Sequence, residues 1–164
     1  MPLILPSLSG ELVDIYNKGK KGNPFPAAVG HKTGKAYVNY VSAGMNAGGG
    51  AFTSMPGGSV LGGDLAEILG KVPTSTGMIT AANMATAFDK CLSTFLSVHQ
   101  TTIISTVGFG GLYSELNDLF SAPKGHASLY ATALARALNN YTMSAIVIGV
   151  IPDTPGIPFT GPIS

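Results

Sequence analysis

Apolar and acidic residues fall into one pattern three times along the chain. In LSGELVDIY (8–16), LGGDLAEIL (61–69) and LYSELNDLF (112–120), relative positions 0, 4, 7 and 8 are apolar and positions 3 and 6 are acidic. The apolar sets are Leu8, Leu12, Ile15, Tyr16; Leu61, Leu65, Ile68, Leu69; and Leu112, Leu116, Leu119, Phe120. That spacing marks one face of a 3.6-residue period, so each run predicts a short helix with a single buried stripe. Six of the eight acidic residues lie in these runs (Glu11, Asp14, Asp64, Glu67, Glu115 and Asp118), which ties the acids to the repeat rather than to one site.

The repeat extends beyond the signature. The three starts are 53 and 51 residues apart, a period that suggests a duplicated supersecondary unit. A loop with Gly, Pro and Lys follows each signature, and a lysine just past a helix C-terminus complements the negative dipole end. Longer helical stretches come next. Met84, Phe88, Cys91, Leu92, Phe95 and Leu96 step by three and four, as do Leu134, Ala137, Leu138, Tyr141 and Ala145. Tyr37, Tyr40 and Val41 form a weaker version, interrupted by Gly30 and Gly34. The phrases AYVNY, AFDKC and ALNNY align the three long helices, and a Gly- or Pro-rich connector closes each module. The expected fold is all-α: three tandem helical hairpins (short helix, loop, long helix) packed as one roughly six-helix domain. The repeats are expected at about 8–53, 61–108 and 112–150 of the single domain 1–164.

The last stretch, 151–164, has four prolines and cannot continue a helix. Ile151, Ile157, Phe159 and Ile163 are poor company for a disordered linker, so the expectation is an extended arm lying across a neighbouring subunit. Charge strengthens that reading. Only 10% of residues are charged, against about 25% in ordinary soluble domains, and the mean hydropathy is +0.33. Burying such a surface against other subunits removes the difficulty of keeping it solvated. Lone Cys91 excludes an intrachain disulfide framework and fits a reducing compartment, and MPLILPSLSG lacks the basic start of a signal peptide. No apolar run is long enough to span a bilayer, so no membrane partner is expected.

The candidate chemical motifs fail on inspection. GHKTGKA (30–36) resembles a phosphate-binding loop, but only three residues separate its glycines and Ala36 stands where a metal-binding hydroxyl belongs. It reads instead as a glycine-softened helix start with Lys32 and Lys35 in solvent. TVGFGGLY (106–113) resembles a dinucleotide fingerprint, but Tyr113 takes the last small position, and a turn between modules accounts for the same residues. The paired acids invite a cation, yet acids early in a helix also complement its dipole and keep one face wet. His31, His99 and His126 share no repeated position, and Cys91 falls mid-stripe, where Tyr40 and Tyr141 stand in the other modules. No catalytic residue, metal or cofactor is therefore expected. The one basic cluster, Lys18, Lys20, Lys21, Lys32 and Lys35, supplies possible phosphate contacts, with little arginine for specific readout.

The module of leucine, acid, leucine and a closing apolar pair, then a Pro/Gly loop and an Ala-rich helix with spaced aromatics, resembles small virion structural proteins of tailed bacteriophages, especially contractile-tailed ones. The resemblance implies a non-enzymatic building block of the neck, tail or baseplate. Such a block would be made in the host cytoplasm and incorporated into the virion, with other copies of itself and other virion proteins as partners. The alternative is a monomeric adaptor that contacts nucleic acid or an acidic partner through the first-module lysines. The buried-stripe assignment has a direct check. Leu65→Asp or Leu116→Asp should unfold the domain, because an unpaired carboxylate in a core costs several kcal/mol of a total near 5–15 kcal/mol; a helical circular-dichroism melt like that of the wild type would refute the assignment.

Overall fold

The computed structural model describes residues 3–18, 26–54, 56–104, 106–122, 125–152 and 155–164. The chain is mostly helical. Its elements are α1 (Leu5–Lys18), α2 (Pro26–Ser42), β1 (Phe52–Ser54), α3 (Gly58–Lys71), a 3-10 turn (Val72–Thr74), α4 (Gly77–Leu92), β2 (Leu96–Ser97), β3 (Gln100–Ile104), α5 (Thr106–Ser121), α6 (Ala127–Ser144), β4 (Ile146–Ile151) and β5 (Ile157–Pro162). Short helix, long helix and connector thus occur three times in order.

Each helix packs on the one before it and the one after it, and α6 returns to α1, so the six helices close into a ring. The more extensive contacts run between modules, α2 on α3, α4 on α5 and α6 on α1, rather than within a hairpin. The periodic leucines face inward: Leu8, Leu61 and Leu112 are each 1% exposed, and Leu12, Leu65 and Leu116 are wholly buried. Tyr37, Phe88 and Leu138, equivalent positions of the long helices, are also fully buried. The Tyr37 ring meets Phe88 edge-on at 5.0 Å, and its hydroxyl shares a 3.0 Å hydrogen bond with Thr142.

The α2–α3 seam explains the glycines in GHKTGKA. A Cβ on Gly34 would lie 2.9 Å from the backbone nitrogen of Gly62, and one on Gly30 would run into the backbone of Ala66. A Cβ on Gly62 would in turn sit 2.7 Å from His31 Nδ1. These glycines are buried in the helix. They let two backbones approach to a distance that no side chain permits.

The connectors depart from the all-helical expectation. β1 pairs with β2, and β3, β4 and β5 form an antiparallel sheet in that order. Met45 and Ser164 exchange two backbone hydrogen bonds of 2.7 and 3.0 Å. First connector is thereby tied to second, second to third, and third back to first, at the end of the ring where all three long helices stop. The runs TTII and IVIGVI are β-branched and suit a pleated, half-buried surface.

The C-terminal stretch is part of this sheet instead of a free arm. β5 lies in register with β4 from Ile146↔Pro162 to Ile151↔Ile157. Of the expected arm residues, Ile163 is 1% exposed, Phe159 packs its ring over Gly48 and His99, Ile151 is half-buried, and Ile157 alone stays largely in solvent. Two prolines are tolerated because β5 is an edge strand among the described residues, and a missing N–H there breaks no ladder. TVGFGG, expected as a turn, forms the first turns of α5, so the third helix pair begins at Thr106, within the expected second repeat to 108, instead of at 112.

The seam makes an unusual pair of alanine substitutions informative. Gly30→Ala should lower stability by about 1–3 kcal/mol despite alanine's better helix propensity, because the Cβ meets backbone. Gly63→Ala on exposed α3, with nothing within 4 Å of its Cβ, should raise stability by about 0.5–1 kcal/mol. Urea melts of the two variants check both signs.

Candidate functional site

The repeat places equivalent residues in equivalent settings, so each candidate can be compared with its counterparts. Position 40 and its equivalents sit inside. The Tyr40 hydroxyl donates to Asn139 Oδ1 at 2.7 Å, and the Tyr141 hydroxyl donates to Asp89 Oδ1 at 2.6 Å. Asn139 and Asp89 are themselves equivalent, so first and third modules each reach back with a tyrosine to the module before. In the second module the pair becomes Cys91 and Val38, and the hydroxyl and its acceptor are lost together. Cys91 is 1% exposed, and burial pushes its thiol up to about 12, as it does the Tyr40 hydroxyl.

The acids lie mid-helix. None of the three short helices has an acid in its first turn, because each begins three to six residues before its signature. The dipole reading of the acids is therefore replaced by another: they face their hairpin partner. Asp64 lies 3.9 Å from Lys90, and Glu115 accepts a 3.2 Å hydrogen bond from Asn140. Lys90 and Asn140 are equivalent, as is Asn39, which lines a groove with Glu11. Glu67 pairs with Lys71 on its own helix, and that hydrogen bond and charge hold its carboxyl below the usual range.

Two surface grooves run where short and long helices of a hairpin diverge. One, of about 550 Å³, is lined by Asp64, Glu67, Lys71, Asn83 and Lys90 among others. Its counterpart, of about 310 Å³, holds Glu11, Asp14, Lys32, Lys35 and Asn39. Lys32 and Lys35 are exposed but share their groove with two acids, which offsets the positive potential a phosphate needs. Lys20 and Lys21 lie outside the described residues, and Lys18 ends α1. Among the described residues no three His, Cys, Asp or Glu side chains gather as a metal site, and no helix is long and apolar enough to cross a membrane. The three histidines stay apart: His31 lies against Gly62, His99 against Phe159, and His126 just ahead of α6.

The two ends of the ring differ most. At the hairpin-turn end, Tyr16, Leu69 and Phe120, equivalent residues of the three signatures, surround an apolar bowl of about 280 Å³ with Tyr130. At the strand end, the described residues within 43–57, 93–105 and 145–164 make up 44 positions without a formal charge. A typical composition would place about a dozen there. This end is locally ordered by Asn46, 2% exposed, a residue the sequence reading passed over. Its Oδ1 accepts from the Gly50 amide at 2.9 Å, and its Nδ2 donates to Ser97 Oγ at 2.9 Å and reaches His99 Nδ1 at 3.3 Å. An Asn within MNAGGG is a turn signal of recognised kind; its cross-connector partners are not visible in sequence.

Around that fixed frame, apolar side chains point outward. Along β4, Val147 and Gly149 are buried while Ile148 and Val150 are 42% and 44% exposed. Leu96, Val98 and Ile157 are 47%, 58% and 51% exposed at the same end. A half-buried antiparallel strand ordinarily turns polar residues to water, and β4 does not.

Cys91 supplies a check on the interior. Its folded pKa lies above the ordinary thiol value of 9.0, so the neutral thiol contributes stability below that pH, and the contribution is lost as pH rises toward about 12. At pH 8 the native thiol should resist iodoacetamide for hours and react within minutes in denaturant; fast native labelling would contradict its burial. Comparisons with known protein families, with curated proteins and with solved structures find no match to this chain.

Proposed function

We propose that this chain is a non-enzymatic structural subunit, which acts by assembling with copies of itself and with other virion proteins. The observation that carries the reading is the strand end: 44 described residues without a formal charge, held together by mutual strand pairing and Asn46, and presenting Leu96, Val98, Ile148, Val150 and Ile157 to solvent. A rigid helical ring suits the role, because binding then costs little ordering entropy. The repeated polar pairs support it too, since their charges are taken up in holding hairpins together. A neck, tail or baseplate position follows from the resemblance of the helical module to virion proteins of contractile-tailed phages.

The test is the absolute mass of the purified chain, by size exclusion with light scattering across a concentration series. A defined multiple of 16.7 kDa above one is expected. A monomer at every concentration would overturn self-assembly.

A further inference from the structure

We infer that the strand end is the surface on which two copies of this chain meet, end to end about a twofold axis. The inference rests on the assembly reading and adds the face and the symmetry. Charge decides what can cover this end. Its 44 described residues carry no formal charge, so a charged partner surface would be desolvated there with nothing to compensate it. The 13 charges of the described residues all lie on the helices, including Lys71 in the last turn of α3 at the opposite end. Head-to-tail stacking would set the apolar bowl of that end, and Lys71 two residues from Leu69 in its lining, against the neutral end. The surface that matches it in neutrality and extent is the same end of a second copy.

Extent agrees. A standard interface uses about 20–30 residues a side, and 19 of the described residues at this end are exposed. Ile148 and Val150 project from one face of β4, the kind of exposed apolar surface that marks an interaction site, with Leu96 and Val98 exposed on the neighbouring connector. The outward positions of the sheet are also suited to face-to-face packing. Ile148 and Val150 stand beside Thr160 and Pro158 in the β4–β5 register, all exposed and none charged. Two such faces pack about 10 Å apart, with branched side chains interdigitating. A twofold contact uses one patch on both partners and closes after two copies, which keeps an apolar end from propagating into a fibre.

The experiment compares solution mass and circular-dichroism melts for the full wild-type chain, the double variant Ile148→Lys/Val150→Lys, and Met78→Lys, a 60%-exposed position at the start of α4, at the opposite end. A wild-type dimer, or an oligomer built from dimers, is expected. The double variant should halve that mass and weaken association at least about 100-fold, while Met78→Lys leaves it unchanged. Val98→Lys, in the turn between β2 and β3, makes the same comparison outside the sheet if the double variant does not fold. A folded double variant with the wild-type mass would overturn this face and leave the assembly reading standing. An odd-numbered wild-type oligomer would overturn the twofold. A wild-type monomer at all concentrations would overturn both.

Discussion

Closure of the helix ring is the constraint from which the other features follow. A two-helix hairpin of this sequence has apolar residues on more than one side of its long helix: Ala36, Tyr37, Tyr40 and Val41 in the first module are all buried, and no single neighbour covers that width. Each long helix needs its own short helix, the next module's short helix and the central side chains of the other two long helices. The last module finds its next neighbour only when α6 meets α1. Closure therefore satisfies all three modules at once, and it explains why the broader seams lie between modules.

Closure also sorts the molecule by chemistry. Three long helices running the same way deliver three connectors to one end, where β-branched and glycine-rich segments pair with each other and need no charge to stay folded. The helix ends that carry Lys18 and Lys71 collect at the other end. The flanks carry the acids, which bridge to Lys90, Asn140 and Lys71. A chain with few charges has thus confined nearly all of them to its sides and one end. An even distribution of the same residues would have left no neutral end.

The inner positions show how the duplicated modules have diverged under one packing rule. Tyr40–Asn139 and Tyr141–Asp89 retain a hydroxyl and an acceptor, whereas Cys91 and Val38 have neither. A buried hydroxyl without its acceptor, or an acceptor without its donor, costs more than replacing both. The α2–α3 seam departs in another way, with Gly30 and Gly34 where the other long helices carry alanines, and Gly62 where the other short helices carry Ser9 and Tyr113. Side-chain volume is exchanged there for close backbone approach.

Periodicity in the sequence determined that the chain is helical, which residues form its buried stripes and that the unit occurs three times, because a helix stripe is a local pattern of three and four. It could also show that Cys91 belongs to the interior. Tertiary structure alone decided the rest. Pairing of β1 with β2 and of β3 with β4 joins residues 42 to 50 positions apart, and Met45 meets Ser164 across 119, so the β-branched runs could be seen while those partners could not; β5 folds back on β4 over 6 to 16 positions, which made the C-terminal stretch an edge strand instead of an arm. The glycines of GHKTGKA had no legible purpose until α3 lay against them. The acids' role depended on where each helix began and which residue faced them across the hairpin. Even the neutral end, whose composition is plain in three separate stretches, became a surface only when closure brought those stretches together.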